Sequence, residues 1–276
     1  MPFLNEKQLQ ELEREGISGI DLCGNCVVIA PDSFAVFRNG GKNRFPSSAL
    51  IKNIYRKNSS MVSRVFFHYF AYNSVQEIFA EINRRNPLVN RGNKKAMSLS
   101  TVSKALKTLE EDLIILRNNT IRIVQPDKLL DKLSQNYDQA TVKRRIRMKV
   151  SENGKALLGL LLKISEDINL PIVGTGMSSI AQYAVMQRGD LLSIYCPSLE
   201  RLLELLPGDQ TNRFPNLELL ETEEETVYFN ARQQGEFWWS SPVQVYLELM
   251  SGDKRDQEAA EQVKSLLMKD FKSVQL

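Results

Sequence analysis

Histidine and cysteine are scarce in this sequence, with one histidine and three cysteines among 276 residues. Cys23, Cys26 and Cys196 form an odd set without a disulfide framework, which is typical of a chain in a reducing compartment. A structural zinc site needs four ligands, and only Cys196 and His68 could complement the Cys23 and Cys26 pair. We therefore predict neither a metal site nor a cofactor.

Motifs for catalysis and for nucleotide binding are also missing. A Ser-His-Asp or Cys-His centre would have to use His68, which lies in the apolar stretch 65–70, so we interpret this histidine as structural. Neither GxxxxGK[ST] nor GxGxxG occurs. The sequence favours a protein that is not an enzyme.

Long apolar runs are missing as well. The run 156–164 contains a lysine and is shorter than the roughly 20 residues that a bilayer crossing requires. Residues 1–15 mix acids and bases with leucines, and they lack the cationic start and apolar core of a signal peptide. We expect a cytoplasmic protein without membrane contact.

Charge is present in an ordinary amount but is distributed unevenly. Hydrophobic residues make up 42% and charged residues 25% of the chain, as in globular proteins. The length of 276 residues predicts two or three domains. Lys and Arg outnumber Asp and Glu by 23 to 8 in residues 38–149, for a net charge of +15. The nets of residues 1–37 and 150–276 are −4 and −8. Such a basic block is typical of a nucleic-acid-binding module, with a solvated basic surface as the alternative.

Residues 1–48 are predicted to form a small helix-plus-sheet unit. A short helix at 7–14 precedes β-type apolar runs at 26–30 and 34–37, which Gly-Asn and Pro-Asp turn signals separate. A loop at 38–48, rich in glycine, serine and cations, ends the unit.

Residues 49–137 begin with two helical patterns. The first helix is predicted from Ser59 or Ser60, with an apolar stripe that runs from Met61 to Tyr69. The second follows Asn73 as its N-cap and stops at the cluster 83–87. A polar connection, 84–97, leads to a third helix at 98–112.

The third helix has a face suited to a DNA groove. Its apolar side is predicted from Leu99, Val102, Ala105, Leu106 and Leu109. The opposite face carries hydroxyl side chains and lysines, with no acid before Glu110. The candidate DNA-binding residues on this helix are Ser98, Ser100, Thr101, Ser103, Lys104, Lys107 and Thr108.

A β-hairpin is predicted after the third helix, with strands at 114–116 and 121–124. Arg117 and Arg122 near its tip complete the candidate DNA-binding set. Three helices followed by a basic hairpin indicate a winged helix-turn-helix, although the connection 84–97 is longer than the usual three or four residues. A further helix begins at Pro126.

Residues 138–276 are predicted to form an acidic α/β domain. The cationic run 143–150 either extends the DNA footprint or holds the acidic domain by charge pairing. Strand-like runs then alternate with helices, among them 178–187 and 198–206 and two that begin at Ser241 and near Arg255. The expected fold class is therefore α+β, with a central winged helix-turn-helix between an N-terminal α/β unit and a C-terminal α/β domain.

Several segments together resemble the AbiEi-like family of transcriptional regulators and antitoxins of type IV abortive-infection systems. The segments are SLSTVSK at 98–104, IRIVQPDKLL at 121–130, WSSPVQVYLEL at 239–249, GD at 252–253 and EAAE at 258–261. The resemblance covers roughly residues 20–270. It implies a winged helix that represses its own operon and a C-terminal domain that counteracts a nucleotidyltransferase toxin.

One segment of the C-terminal domain resembles the nucleotidyltransferase pattern of a glycine turn followed by paired carboxylates. GTGMSS at 174–179 precedes Asp190, but the second carboxylate position is Leu192, and both acids are needed to hold two Mg²⁺ ions. We interpret this as a degenerate nucleotidyltransferase scaffold, with a plain strand-to-helix turn as the alternative. The aromatic cluster 237–239 could stack on a base, yet we expect it in the core.

The function predicted from the sequence is a sequence-specific DNA-binding transcriptional regulator, an autorepressor of the AbiEi antitoxin type. The alternative is a nucleic-acid-processing enzyme whose metal-binding carboxylates lie elsewhere in the chain. The expected partners are a double-stranded DNA operator and a nucleotidyltransferase-type toxin or its target. The oligomeric state stays open, and a dimer on DNA is compatible with the sequence.

Overall fold

The computed structural model describes residues 3–42, 53–88, 97–185 and 191–274. The chain divides into two units, Met1–Leu50 and Ile51–Leu276. Helices and sheets are mixed along the chain, as the α+β class predicts. Within the described ranges, no helix has the length and apolar character that a membrane crossing needs.

The first unit packs one helix against a three-stranded antiparallel sheet, because each contributes an apolar face that water would otherwise cover. The helix is capped reciprocally: the Asn5 side chain accepts from the backbone of Gln8, and the Gln8 side chain accepts from the backbone of Asn5. Leu4, Leu9 and Val27 form its buried core. Its elements are α1 (Glu6–Arg14), β1 (Gly19–Ile20), β2 (Cys26–Ala30) and β3 (Phe34–Arg38).

The second unit opens with a broken helix where a continuous one was predicted. Only α2 (Met61–Arg64) is α-helical, with 3-10 turns at Lys57–Ser60 and Val65–Phe67. The carbonyl of Val65 accepts from the N–H groups of His68 and Tyr69 and from the Tyr72 hydroxyl, so the backbone turns here. The predicted helix through Tyr69 is therefore wrong, because tertiary partners compete with its last turn.

The next segment builds two helices and a small sheet. Ser74 caps α3 (Val75–Arg84) by accepting from the N–H of Glu77, so the cap predicted at Asn73 is one residue early. The third helix, α4 (Leu99–Glu111), begins at its predicted cap, Ser98. The remaining elements are β4 (Ala71–Tyr72), β5 (Ile115–Arg117), β6 (Ile121–Ile123) and α5 (Pro126–Gln135), and the strands are ordered β4-β6-β5.

The rest of the chain forms a mixed sheet with helices. The described strands lie in the order β10-β7-β11-β9-β8-β13-β12, in which β11 runs parallel to β9 and antiparallel to β7. The strands are β7 (Arg144–Lys149), β8 (Val173–Gly174), β9 (Leu192–Cys196), β10 (Asp209–Gln210), β11 (Leu217–Glu221), β12 (Arg232–Gln234) and β13 (Phe237–Trp239). The helices are α6 (Gly154–Asp167), α7 (Glu200–Leu205), α8 (Glu225–Tyr228), α9 (Pro242–Met250) and α10 (Lys254–Val274).

The helix predicted at 178–187 is not formed in the part of it that the structure describes. The Ser179 hydroxyl donates to the carbonyls of Gly174 and Thr175, and the Ser178 hydroxyl accepts from the N–H of Ser193. These bonds hold the chain in turns, and only Ile180–Gln182 forms a 3-10 helix. Residues 186–190 lie outside the described ranges.

Two of the hydrophobic cores of the second unit position its helices. One lies between the sheet and helices α6 and α7 and includes Leu161, Ile194 and Leu219. The other joins α4 and α5 to the C-terminal helices α9 and α10, with Leu106 and Leu247 among its members. The segments predicted as separate domains, 49–137 and 138–276, thus share a hydrophobic core.

Candidate nucleic-acid interface

Helix α4 separates a buried face from a polar one. Val102, Ala105, Leu106 and Leu109 are fully buried against the neighbouring helices. Ser100, Ser103 and Lys107 are exposed on the other side. Thr101, Lys104 and Thr108 are half-buried, so the predicted polar face is open to solvent only in part.

Some hydroxyl groups of this face are used within the helix. Ser98 accepts from the N–H of Thr101 at 3.1 Å, and the two hydroxyl oxygens lie 2.8 Å apart. The Thr108 hydroxyl donates to the carbonyl of Lys104 at 3.3 Å. Ser98 thus acts as an N-cap, and Thr108 bonds back to the preceding turn, so neither role depends on DNA.

Lys107 forms an ion pair with Glu111 one turn along the helix. Their charged atoms are 3.8 Å apart, and the side chains are 75% and 62% exposed. An exposed pair of this spacing contributes only about 0.3–0.5 kcal/mol. The ion pair with Glu111 therefore leaves Lys107 able to bind a phosphate.

The two arginines of the hairpin lie on opposite faces. In the register, Arg122 is opposite Leu116, whereas Arg117 is opposite the buried Ile121. Side chains of cross-strand partners share a face, so the hairpin does not bring the arginines together. Arg117 points back to α4, where its guanidinium lies 3.6 Å from the carboxylate of Glu110. Arg122 is exposed in the middle of the small sheet.

Other cations of the basic block serve the fold, which the charge count along the sequence does not reveal. The guanidinium of Arg56 bonds the carboxylate of Asp138, with its Nε at 2.9 Å. Lys128 donates to the carbonyl of Asp112 at 2.6 Å, at the end of α4. Both cations therefore have partners within the chain, although the Arg56 side chain stays 47% exposed.

A buried carboxylate of α3, that of Glu81, binds further cations of the basic block. Glu81 is 6% exposed and bonds the guanidinium groups of Arg84 and Arg85, with the Arg85 Nε at 2.5 Å. His68 lies 4.0 Å from the same carboxylate. Burial, with a contribution from Arg85, lowers the pKa of His68 to about 4 although Glu81 opposes the shift, so the imidazole is neutral at pH 7.

The cationic strand β7 pairs with carboxylates of the C-terminal segment. Its antiparallel register with β11 places Arg147 opposite Glu218, with Nε and Oε1 2.9 Å apart. Arg145 lies 3.5 Å from the same carboxylate, and Lys143 lies 2.6 Å from Glu223. The run 143–150 has two interpretations, an extension of the DNA footprint or a charge pairing with the acidic domain, and these contacts are of the second kind.

The glycine turn after β8 is shaped by close packing. A side chain at Gly174 would collide with the ring of Trp239, and one at Gly176 would collide with the carboxylate of Glu248. Both glycines are thus explained without a bound nucleotide. Asp190, the carboxylate of the suspected nucleotidyltransferase pattern, lies outside the described residues.

The aromatic cluster is divided between core and surface. Phe237 and Trp239 are buried and meet edge to face, with ring centroids 5.2 Å apart, as expected for core residues. Trp238 points the other way and is 42% exposed, because neighbouring residues of a strand alternate between faces. Across the described segments, no group of three or more His, Cys, Asp or Glu residues is placed to hold a metal ion.

Comparison with known proteins gives no further assignment: no protein-family model, no curated protein and no solved structure matches the chain.

Proposed function

We propose that this protein is a sequence-specific DNA-binding transcriptional regulator that uses a winged helix-turn-helix. The observation that carries the proposal is the order of elements from α2 to β6, in which two helical segments and a short strand precede α4 and a hairpin follows it. The strand β4 pairs with β6 of the hairpin, so the sheet order β4-β6-β5 places the wing beside the helices. This is the arrangement in which such domains present their third helix to the major groove.

The composition of α4 agrees with this role. Its exposed face offers hydroxyl groups and lysines, which bind phosphates and base edges. The acids of the helix, Glu110 and Glu111, are confined to its last turn. In the proposed orientation, α4 enters the groove with its N-terminal half, and the wing residue Arg122 contacts the backbone beside it.

The resemblance to the AbiEi-like family extends the proposal to autorepression and to an antitoxin role. In that role, the sheet and α9–α10 would contact a nucleotidyltransferase-type toxin or its target. Co-expression of the chain with the product of the adjacent reading frame tests this part. We expect relief of toxicity and co-purification, and unchanged toxicity would remove the antitoxin role while leaving DNA binding intact.

DNA binding is tested with the full chain and a duplex from upstream of its own reading frame. Fluorescence anisotropy should give an affinity at least about a hundredfold higher than for a shuffled duplex of equal composition, with a salt slope that reports several phosphate contacts. Binding should be the same in EDTA and in Mg²⁺, and the duplex should stay intact. Equal affinity for both duplexes, or Mg²⁺-dependent cleavage or nucleotide addition, would contradict the proposal and favour the enzymatic alternative.

A further inference from the structure

A cavity of about 380 Å³ opens on the face of the large sheet that is turned away from α6. Because side chains alternate along a strand, Ile194 and Leu219 enter the core below the sheet, whereas Ser193, Tyr195 and Glu218 face the cavity. The opposite wall comes from Glu248 on α9 and Asp256 on α10. The volume is within the range of small-molecule sites.

Two carboxylates of the cavity, those of Glu218 and Glu248, have different kinds of partners. Glu218 is balanced, since Arg147 and Arg145 lie at 2.9 and 3.5 Å from it and the Ser193 hydroxyl donates to it at 2.9 Å. Glu248 is different. Its carboxylate accepts from the Gln244 amide at 2.7 Å, from the Tyr195 hydroxyl at 3.1 Å and from the backbone N–H of Met177, all of which are neutral groups.

The direct hydrogen-bond donors to Glu248 are therefore neutral groups. Within the described ranges, no lysine or arginine forms an ion pair with it. Burial raises the pKa of Glu248, although its hydrogen bonds and the charge of Arg64 oppose the shift. A cation entering the cavity would favour the ionised form of Glu248 and gain a hydrogen bond to a charged acceptor.

A buried hydrogen-bond chain leads from Glu248 to helix α2. The oxygen of the Gln244 amide accepts from Nη1 of Arg64 at 2.7 Å, while the nitrogen of the same amide donates to Glu248. Arg64 is 4% exposed, its Nη1 also bonds the carbonyl of Thr226 at 3.2 Å, and its Nε has no hydrogen-bond partner among the described residues. One amide thus bridges a buried cation and a cavity carboxylate.

The far end of this chain reaches the proposed DNA-binding helix. Arg64 is the last residue of α2, and α2 packs directly against α4. Val62 and Leu106 belong to the same core, so a shift of α2 changes the packing and position of α4. Closely packed cores of this kind transmit small displacements rather than absorb them.

We propose that the cavity binds a small guanidinium-bearing dication, with the planar guanidinium on the Glu248 carboxylate and the second cation near Asp256. A guanidinium matches a carboxylate with two parallel hydrogen bonds, and the aromatic side chains of Tyr137 and Tyr195 line the same space. Binding competes with the Gln244 amide for Glu248, frees that amide to reorient against Arg64 and so changes the affinity of α4 for DNA. The coupling part rests on the proposed DNA-binding function, whereas the ligand site does not.

The site is tested by isothermal titration calorimetry of the full chain with agmatine as the probe. We expect saturable binding, weaker by about tenfold or more for Glu248→Gln and for Ser251→Lys, which places a competing cation at the exposed rim. The control Lys163→Ala, on the exposed side of α6, should bind like the unmodified chain. Thermal melting establishes that each variant is folded. An absence of heat at about 10 mM agmatine, or an affinity of Glu248→Gln and Ser251→Lys equal to that of the unmodified chain, overturns the site.

The coupling is tested by measuring operator affinity with and without saturating agmatine. We expect a change of about fivefold or more in the unmodified chain, and DNA should change agmatine affinity by the same factor. Arg64→Met should still bind agmatine but lose this change. An equal change in Arg64→Met, or none in the unmodified chain, overturns the coupling. If no duplex binds at all, the proposed function fails while the calorimetry still decides the site.

Discussion

The guanidinium of Arg117 lies 3.6 Å from the carboxylate of Glu110, so the first hairpin arginine forms an ion pair with the end of helix α4. Its side chain is 32% exposed, and a neighbouring acid reduces its attraction for phosphate. Arg122 is placed on the other face of the hairpin and is exposed. The two arginines that the sequence presents as equivalent therefore have different surroundings.

We predict that Arg122→Ala weakens DNA binding more than Arg117→Ala does. The loss for Arg122→Ala should be about three- to tenfold for operator and random duplex alike, with the salt slope reduced by about one, because a wing arginine contacts backbone or groove rather than a specific base. Anisotropy across a salt series measures both quantities. A loss confined to the operator would mean that the wing reads sequence.

The polar face of α4 gives a second prediction. The double substitution of Lys104 and Lys107 by alanine should lower operator affinity by about tenfold or more and reduce the salt slope, because two phosphate contacts are removed. Lys163→Ala is the matched control, since it removes an exposed helical lysine from a distant surface. Unchanged affinity of the double variant would exclude α4 as the DNA-contacting helix.

The shared core predicts that the C-terminal helices stabilise the segment that holds α4. Leu247 on α9 is 1% exposed and belongs to the same core as Leu106, so Leu247→Ala should lower the free energy of unfolding by about 2–4 kcal/mol. Leu205→Ala on α7 is the control, because that side chain is 47% exposed and should change stability by about 0.5 kcal/mol or less. Urea unfolding monitored by tryptophan fluorescence measures both, and equal effects would refute the shared core.

We predict that the folded chain loses stability under mildly acidic conditions because His68 becomes protonated on unfolding. Its pKa in the folded chain is about 4, below the value of about 6.5 in an unfolded chain, so the unfolded state binds the proton first as the pH falls. The stability contributed by the neutral imidazole is present above pH 6.5 and is lost as the pH approaches 4. Between pH 7 and pH 5 the loss should be roughly 1–2 kcal/mol.

Urea unfolding of the unmodified chain and of His68→Gln at both pH values measures this difference. The amide of glutamine does not titrate, so the variant should lose less stability over the same interval. Parallel losses in the two proteins would assign the effect to carboxyl groups instead.

The amphipathic segments of this protein are determined by the sequence itself. Ser98 followed by apolar residues at helical spacing predicted α4 with its cap, and Pro126 with three buried leucines predicted α5. In both, a regular apolar face lets the segment adopt one structure almost independently of its neighbours. The alternation in β7 is similar, since Ile146 and Met148 face the core while Arg145 and Arg147 face the opposite side.

Tertiary contacts decided the rest. The helix predicted to reach Tyr69 ends in a 3-10 turn, where the His68 N–H and the Tyr72 hydroxyl both bond the carbonyl of Val65. The different surroundings of Arg117 and Arg122 follow from the hairpin register, in which one residue of offset reverses the face of a side chain. The approach of Arg64, Gln244 and Glu248 joins positions far apart in the chain, and local patterns along a sequence carry no information about such distances. The sequence alone thus determined the regularly amphipathic segments and the distribution of charge, whereas only the packing of the segments decided where the other helices end and which charges meet.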